Sequence, residues 1–160
     1  LLASAELFAE EYGVSLAPLG DLDGDLIPDI AVGVSGDASP FLRAGGVSIE
    51  LLNADGTRKS NVMIDGWGAL GAELEAFDAF GRAVLNAGDL DDDGTVDLLV
   101  GAPGDDDGGM NRGAVYTLYL NPDGTLKAYE KTYSGENFPA PLSDGDGIGS
   151  ALCELSLIHI

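Results

Sequence analysis

Between Asp89 and Asp97 the chain reads Asp-Leu-Asp-Asp-Asp-Gly-Thr-Val-Asp, with carboxylates at the first, third, fifth and ninth positions and a glycine at the sixth. Acids at alternate positions, then glycine, then a last acid can close a ring of oxygens around one hard cation. Ca²⁺ takes about 6–8 oxygens at roughly 2.3–2.6 Å and needs a sharp turn at position six, which Gly94 supplies. Asp89, Asp91, Asp93 and Asp97 are the candidate side-chain ligands, and the Thr95 carbonyl is the candidate at position seven. An earlier stretch, Asp21-Leu-Asp-Gly-Asp-Leu-Ile-Pro-Asp29, repeats the grammar with Asp21, Asp23, Asp25 and Asp29 and the carbonyl of Ile27. Carboxylates held about 4 Å apart repel by roughly 4 kcal/mol per pair at an effective dielectric near 20, so such loops call for a cation. Neither stretch holds nitrogen or sulfur side-chain donors, and Mg²⁺ wants a smaller octahedral site, so the expected cofactor is Ca²⁺. Leu26 stands where Gly94 stands in the other copy; a leucine forced left-handed costs about 1–2 kcal/mol, which predicts a weaker first site.

The elements around these loops must be strands. An EF-hand-type loop carries a bidentate Glu at position twelve and runs into a helix, whereas here position twelve is Val32 in one copy and Val100 in the other. Short apolar runs follow each loop, Asp29-Ile-Ala-Val-Gly-Val34 and Asp97-Leu-Leu-Val-Gly-Ala102, and read as buried strands. Tyr12-Gly13, Phe80-Gly81 and Ile148-Gly149 set the period, since 80 − 12 and 148 − 80 both give 68. Within a unit the pattern predicts an aromatic-glycine strand over 80–86, the loop, and a second strand over 98–102. A third follows over 113–120 (45–52 in the first copy), then an Asp-Gly hairpin turn and a fourth strand over 126–133 or 60–64. Four strands per unit in tandem predict an all-β fold, part of a β-propeller of four-stranded antiparallel blades with calcium loops in the hairpins. The units run 1–68, with a leading connection at 1–11, then 69–136, then 137–154 as the start of a third. Residues 155–160 break the repeat, read as a non-native tail, and contain His159, the only histidine.

Composition narrows the function. A net charge of −21, from 28 acids against 7 bases, excludes nucleic acid and anionic lipid as partners, because phosphate binding needs clustered Lys and Arg. No apolar run approaches the length of a membrane span. No nucleophile-and-base set can be drawn, so catalytic residues are none and the chain is read as a non-enzyme. Single residues have plainer readings: Cys153 as a core thiol, Tyr12 and Phe80 as anchors between blades, Trp67 and Arg112 as packing or turn contacts, and Asp105-Asp106-Asp107-Gly108 as a solvated acidic loop.

Phe80-Gly81, Gly88-Asp89-Leu90-Asp91, Asp97-Leu-Leu-Val-Gly-Ala-Pro103 and Gly113-Ala-Val-Tyr116 together resemble the FG-GAP repeat of integrin alpha-chain propellers and of large bacterial secreted proteins. The likeness runs to about Leu152; the first copy departs from it at Tyr12, Leu26 and Gly33-Val34-Ser35. The resemblance implies a calcium-stabilised propeller module of an exported protein, placed outside the cell, at its surface or in the periplasm. Such a module would offer its loop faces to a protein or glycan in adhesion and pack against neighbouring blades. A second reading is an accessory propeller on a secreted hydrolase or phospholipase whose catalytic domain lies elsewhere.

Overall fold

The computed structural model describes residues 11–36, 43–68, 70–138 and 140–153. The described chain is all-β apart from one turn of 3-10 helix at Gly71–Glu73. Eight strands follow in order: β1 Tyr12–Gly20, β2 Asp29–Val34, β3 Gly46–Leu52, β4 Arg58–Asp65, β5 Ala83–Gly88, β6 Asp97–Ala102, β7 Ala114–Leu120 and β8 Leu126–Tyr133. They form two antiparallel sheets in sequence order, β1-β2-β3-β4 and β5-β6-β7-β8, the meander of a propeller blade.

The central strands β2, β3 and β6 are buried on both faces, as a stacked blade requires, with the polar Ser48 and Glu50 of β3 buried among them. β4 is largely exposed until Ile64 and Asp65 at its end, and β8 is exposed or half-buried along its length. Pro18 sits in β1, an edge strand, where its missing N–H leaves no ladder bond unmade. One core spans both sheets: Val47 and Ile49 of β3 lie in it with Leu98 and Val100 of β6 and Tyr116, Leu118 and Leu120 of β7. Phe80 is fully buried and meets the Tyr116 ring edge-on, with centroids 5.1 Å apart and planes at 87°.

Beyond the shared core, main-chain contacts close the joint between units, joined by the Ser15 hydroxyl donating to the Gly81 carbonyl at 2.9 Å. Phe80 pairs with Gly45 in a parallel bridge, and Ile148 pairs with Gly113 in the same way. Phe80 N–H donates to the Ala44 carbonyl and Ile148 N–H to the Arg112 carbonyl, both at 2.9 Å. A Cβ on Gly33 would lie 2.1 Å from the Gly81 carbonyl oxygen, and one on Gly101 would lie 1.9 Å from that of Gly149. Glycine is required there by contact, not by conformation.

Several expectations need correction. The aromatic-glycine segment does not open β5, which begins at Ala83, because Phe80 is committed to the neighbouring unit while Gly81 N–H donates to the Gly101 carbonyl of β6. Tyr12 is 47% exposed among the described residues; its hydroxyl donates to Glu50 and it begins β1 directly. Cys153, the last of the described residues, is exposed. Trp67 is 72% exposed and makes a turn contact through its main chain, whose N–H donates to Asp65 at 2.9 Å. Arg112 also makes a turn contact, its main-chain N–H donating to the Gly109 carbonyl at 3.3 Å, and its side chain reaches across to Asp144 in an ion pair at 2.9 Å. The connection 70–79 carries the 3-10 turn and a turn in which the Asp78 carboxylate reaches back to accept from Glu75 N–H at 2.7 Å. Asp146 accepts from Ser143 N–H at the same distance one repeat later. The leading segment 1–10 and the tail 155–160 lie outside the described residues.

Candidate metal centres in the β1–β2 and β5–β6 loops

Each loop folds around its last acid. Asp97 opens β6 almost fully buried, and its two carboxylate oxygens accept from Leu90 N–H at 2.8 Å and Leu120 N–H at 3.1 Å. Asp29 does the same for Leu22 at 3.0 Å and Leu52 at 2.9 Å. One carboxylate thus ties the loop start to the end of the third strand, and its remaining lone pairs stay available. The earlier acids arch over it. Asp89 accepts from Asp93 N–H at 3.0 Å and Gly94 N–H at 2.8 Å, and Asp93 accepts from Thr95 N–H at 2.7 Å. In the first loop Asp23 accepts from Asp25 N–H at 3.3 Å and Asp25 from Ile27 N–H at 2.9 Å.

Both loops turn left-handed twice, at positions four and six. Gly24 and Leu26 have φ of 80° and 71°, and Asp92 and Gly94 have 59° and 91°. Position six is left-handed in both copies, as the loop grammar requires. Position four escaped the sequence reading: each copy has one glycine and one strained residue, with the places exchanged. Asp tolerates this region better than Leu does, so the first loop still bears the larger cost.

The acids converge as two triads. Carboxylate oxygens of Asp21, Asp23 and Asp29 lie within 4.8 Å of one another, and so do those of Asp89, Asp91 and Asp97. The fifth-position acids fall outside the triads. Lys59 on β4 holds Asp25 at 2.7 Å together with Asp23 at 2.6 Å, and Lys127 on β8 holds Asp93 at 2.5 Å together with Asp91 at 2.7 Å. These lysines hold the Asp25 and Asp93 carboxyls below the usual carboxylate range, with help from the Ile27 and Thr95 N–H groups. Ile27 is half-buried and Thr95 buried at the seventh positions. The donor set suits a hard cation: oxygen only, three convergent carboxylates and one of them anchored deep in the sheet.

A second acidic cluster lies at the far end of β6. Asp105, expected in a solvated loop, is 2% exposed; it accepts from the Tyr116 hydroxyl at 3.2 Å and pairs with Lys131 at 2.7 Å. Burial works against the Lys131 charge, but the hydrogen bonds it donates to Asp105 and Asp107 outweigh it and raise its pKa. Asp78 faces the same cleft of about 320 Å³, and burial pushes its carboxyl up to about 7, with Asp105 adding to the push. The sequence signal for this cluster was the pairing of strand position 131 with the acidic loop, which only the register of β7 and β8 reveals.

The strand order, the meander and the acid loops between first and second strands define a tandem blade repeat of the β-propeller class. Residues 80–118 match the family described as FG-GAP repeat. Human integrin alpha-IIb is 35% identical over 119 residues, covering 72% of this chain and 10% of the relative. The chain thus carries an FG-GAP repeat at residues 80–118 and is integrin alpha-like over most of its length. It spans about a tenth of the length of that relative.

Proposed function

We propose that the chain is a calcium-binding, calcium-stabilised propeller module of an exported protein, working outside the cell or at its surface. Asp21, Asp23 and Asp29, joined by Asp25 and the Ile27 carbonyl, hold one Ca²⁺; Asp89, Asp91 and Asp97, joined by Asp93 and the Thr95 carbonyl, hold another. The observation that carries this reading is the recurrence, one repeat apart, of the same all-oxygen triad built on a buried aspartate. Bound Ca²⁺ would offset two of the four ligand charges in each loop and weld the first hairpin of the blade to the end of its third strand. The repeating units are 1–68, 69–136 and 137–154, and the module's loop faces meet a protein or glycan partner in adhesion. The likeness to a human integrin alpha chain supports the extracellular setting and the partner class.

Calorimetric titration of the full chain with Ca²⁺ tests it. Two sites are expected, Mg²⁺ competes poorly, and Asp91→Ala and Asp23→Ala each leave one site. Unchanged stoichiometry in both variants would overturn the assignment.

A further inference from the structure

We propose that Lys59 and Lys127 are built-in competitors of the loop cation, holding each loop together without it and setting its affinity; this rests on the calcium reading above. The placement occurs twice, at equivalent positions. Each lysine is the second residue of the outermost strand, and each bridges the third- and fifth-position carboxylates of the loop in its own sheet. The hairpins before them are built alike: Asn53 donates to Thr57 and Asn121 to Thr125, through main chain at 2.8 and 2.9 Å and through side chains at 3.1 and 3.0 Å. Both β3–β4 and β7–β8 carry a register shift at the same point, between Leu51 and Leu52 and between Tyr119 and Leu120. The fold therefore delivers an ammonium to the same pair of oxygens in both units. In a chain with 7 basic residues against 28 acids, assigning two of them to these loops marks the loops as sites where positive charge is needed.

Asp23 and Asp91 belong both to the triads and to the lysine pairs. A divalent cation that draws in Asp23 with Asp25, or Asp91 with Asp93, takes the oxygens the ammonium holds and repels the ammonium itself. The lysine heads have an exit, since their side chains are 40% and 38% exposed. Cation binding then includes the release of one lysine per loop. The apparent affinity is weaker than that of the oxygens alone, and the loop is spared full carboxylate repulsion when calcium is scarce.

The test is calorimetric Ca²⁺ titration of the full chain and of Lys59→Gln, Lys127→Gln and the double variant, with melting in chelator alongside. Each single variant should bind calcium about three- to fivefold more tightly at its own site, the range an exposed ion pair supports. Each should also melt lower than wild type in chelator, and Lys127→Arg should restore both properties. Calcium uptake by wild type with a Kd unmoved or weakened in both glutamine variants overturns the competitor role alone. No uptake by wild type overturns the cation reading beneath it.

Discussion

Leu26 is the residue at which the two loops differ most in backbone cost. It holds φ of 71° while 86% exposed, so its side chain contributes almost nothing to offset the strain. Leu26→Gly should stabilise the first loop by up to about 1 kcal/mol and tighten its calcium site by roughly fivefold, leaving the second unchanged. Site-resolved titration decides it, and a weaker first site in the variant would contradict the strain argument. Asp78 offers a pH test. Its carboxyl titrates at about 7 in the folded chain against 3.8 for the free group, so folding takes up a proton between those values. Its contribution is therefore most favourable at low pH and is lost as pH rises from about 4 through 7. Asp78→Asn keeps an acceptor for the Glu75 N–H and removes the charge. It should add on the order of 2–4 kcal/mol at pH 8 and little at pH 5, read by denaturant unfolding at both values.

At the scale of elements, strands were easier to read than joints. The period-two alternation of β7 and the apolar runs of β2 and β6 state their burial openly, and β8 lies at Leu126–Tyr133, where its place after the Asp-Gly hairpin predicts it. What the residues could not announce was which neighbour Phe80 serves. Its aromatic-glycine pair reads as the start of a strand, yet its bonds go to Ala44 and Gly45 across the joint, a contact between distant parts of the chain. The acid loops were legible because ligand spacing is local; Lys59, Lys127 and Lys131 were not, because strand pairing places them. Gly33 makes a sharp test of the joint. It lacks the left-handed backbone of many glycines here, so propensity alone says that alanine in a strand should stabilise. Contact with the Gly81 carbonyl says the opposite, and Gly33→Ala should destabilise by about 1–3 kcal/mol in denaturant unfolding.

For the molecule as a whole, charge and calcium act together. At −21 the chain repels itself, and its two acid loops concentrate that repulsion. At a hundredfold excess of calcium over Kd, each occupied site adds about 2.7 kcal/mol. Two sites then raise the Tm by on the order of 10–20 °C for a chain of this size. Scanning calorimetry with calcium and with chelator measures this, and roughly 0.5 M NaCl should recover part of the loss in chelator by screening. A Tm indifferent to both would separate the fold's stability from its acids.

The joints at Gly33 with Gly81 and Gly101 with Gly149 bring main chain against main chain, and neither depends on a matched pair of side chains. A stretch one period long can therefore be lost or duplicated, and the residues that meet at the new seam are still glycine and carbonyl. Tyr12 followed directly by Gly81 would restore an aromatic-glycine pair at the seam, whereas a cut one residue longer would put Arg82 in the place of that glycine. A change in length by one whole period is therefore one that the joints accept without any new kind of contact.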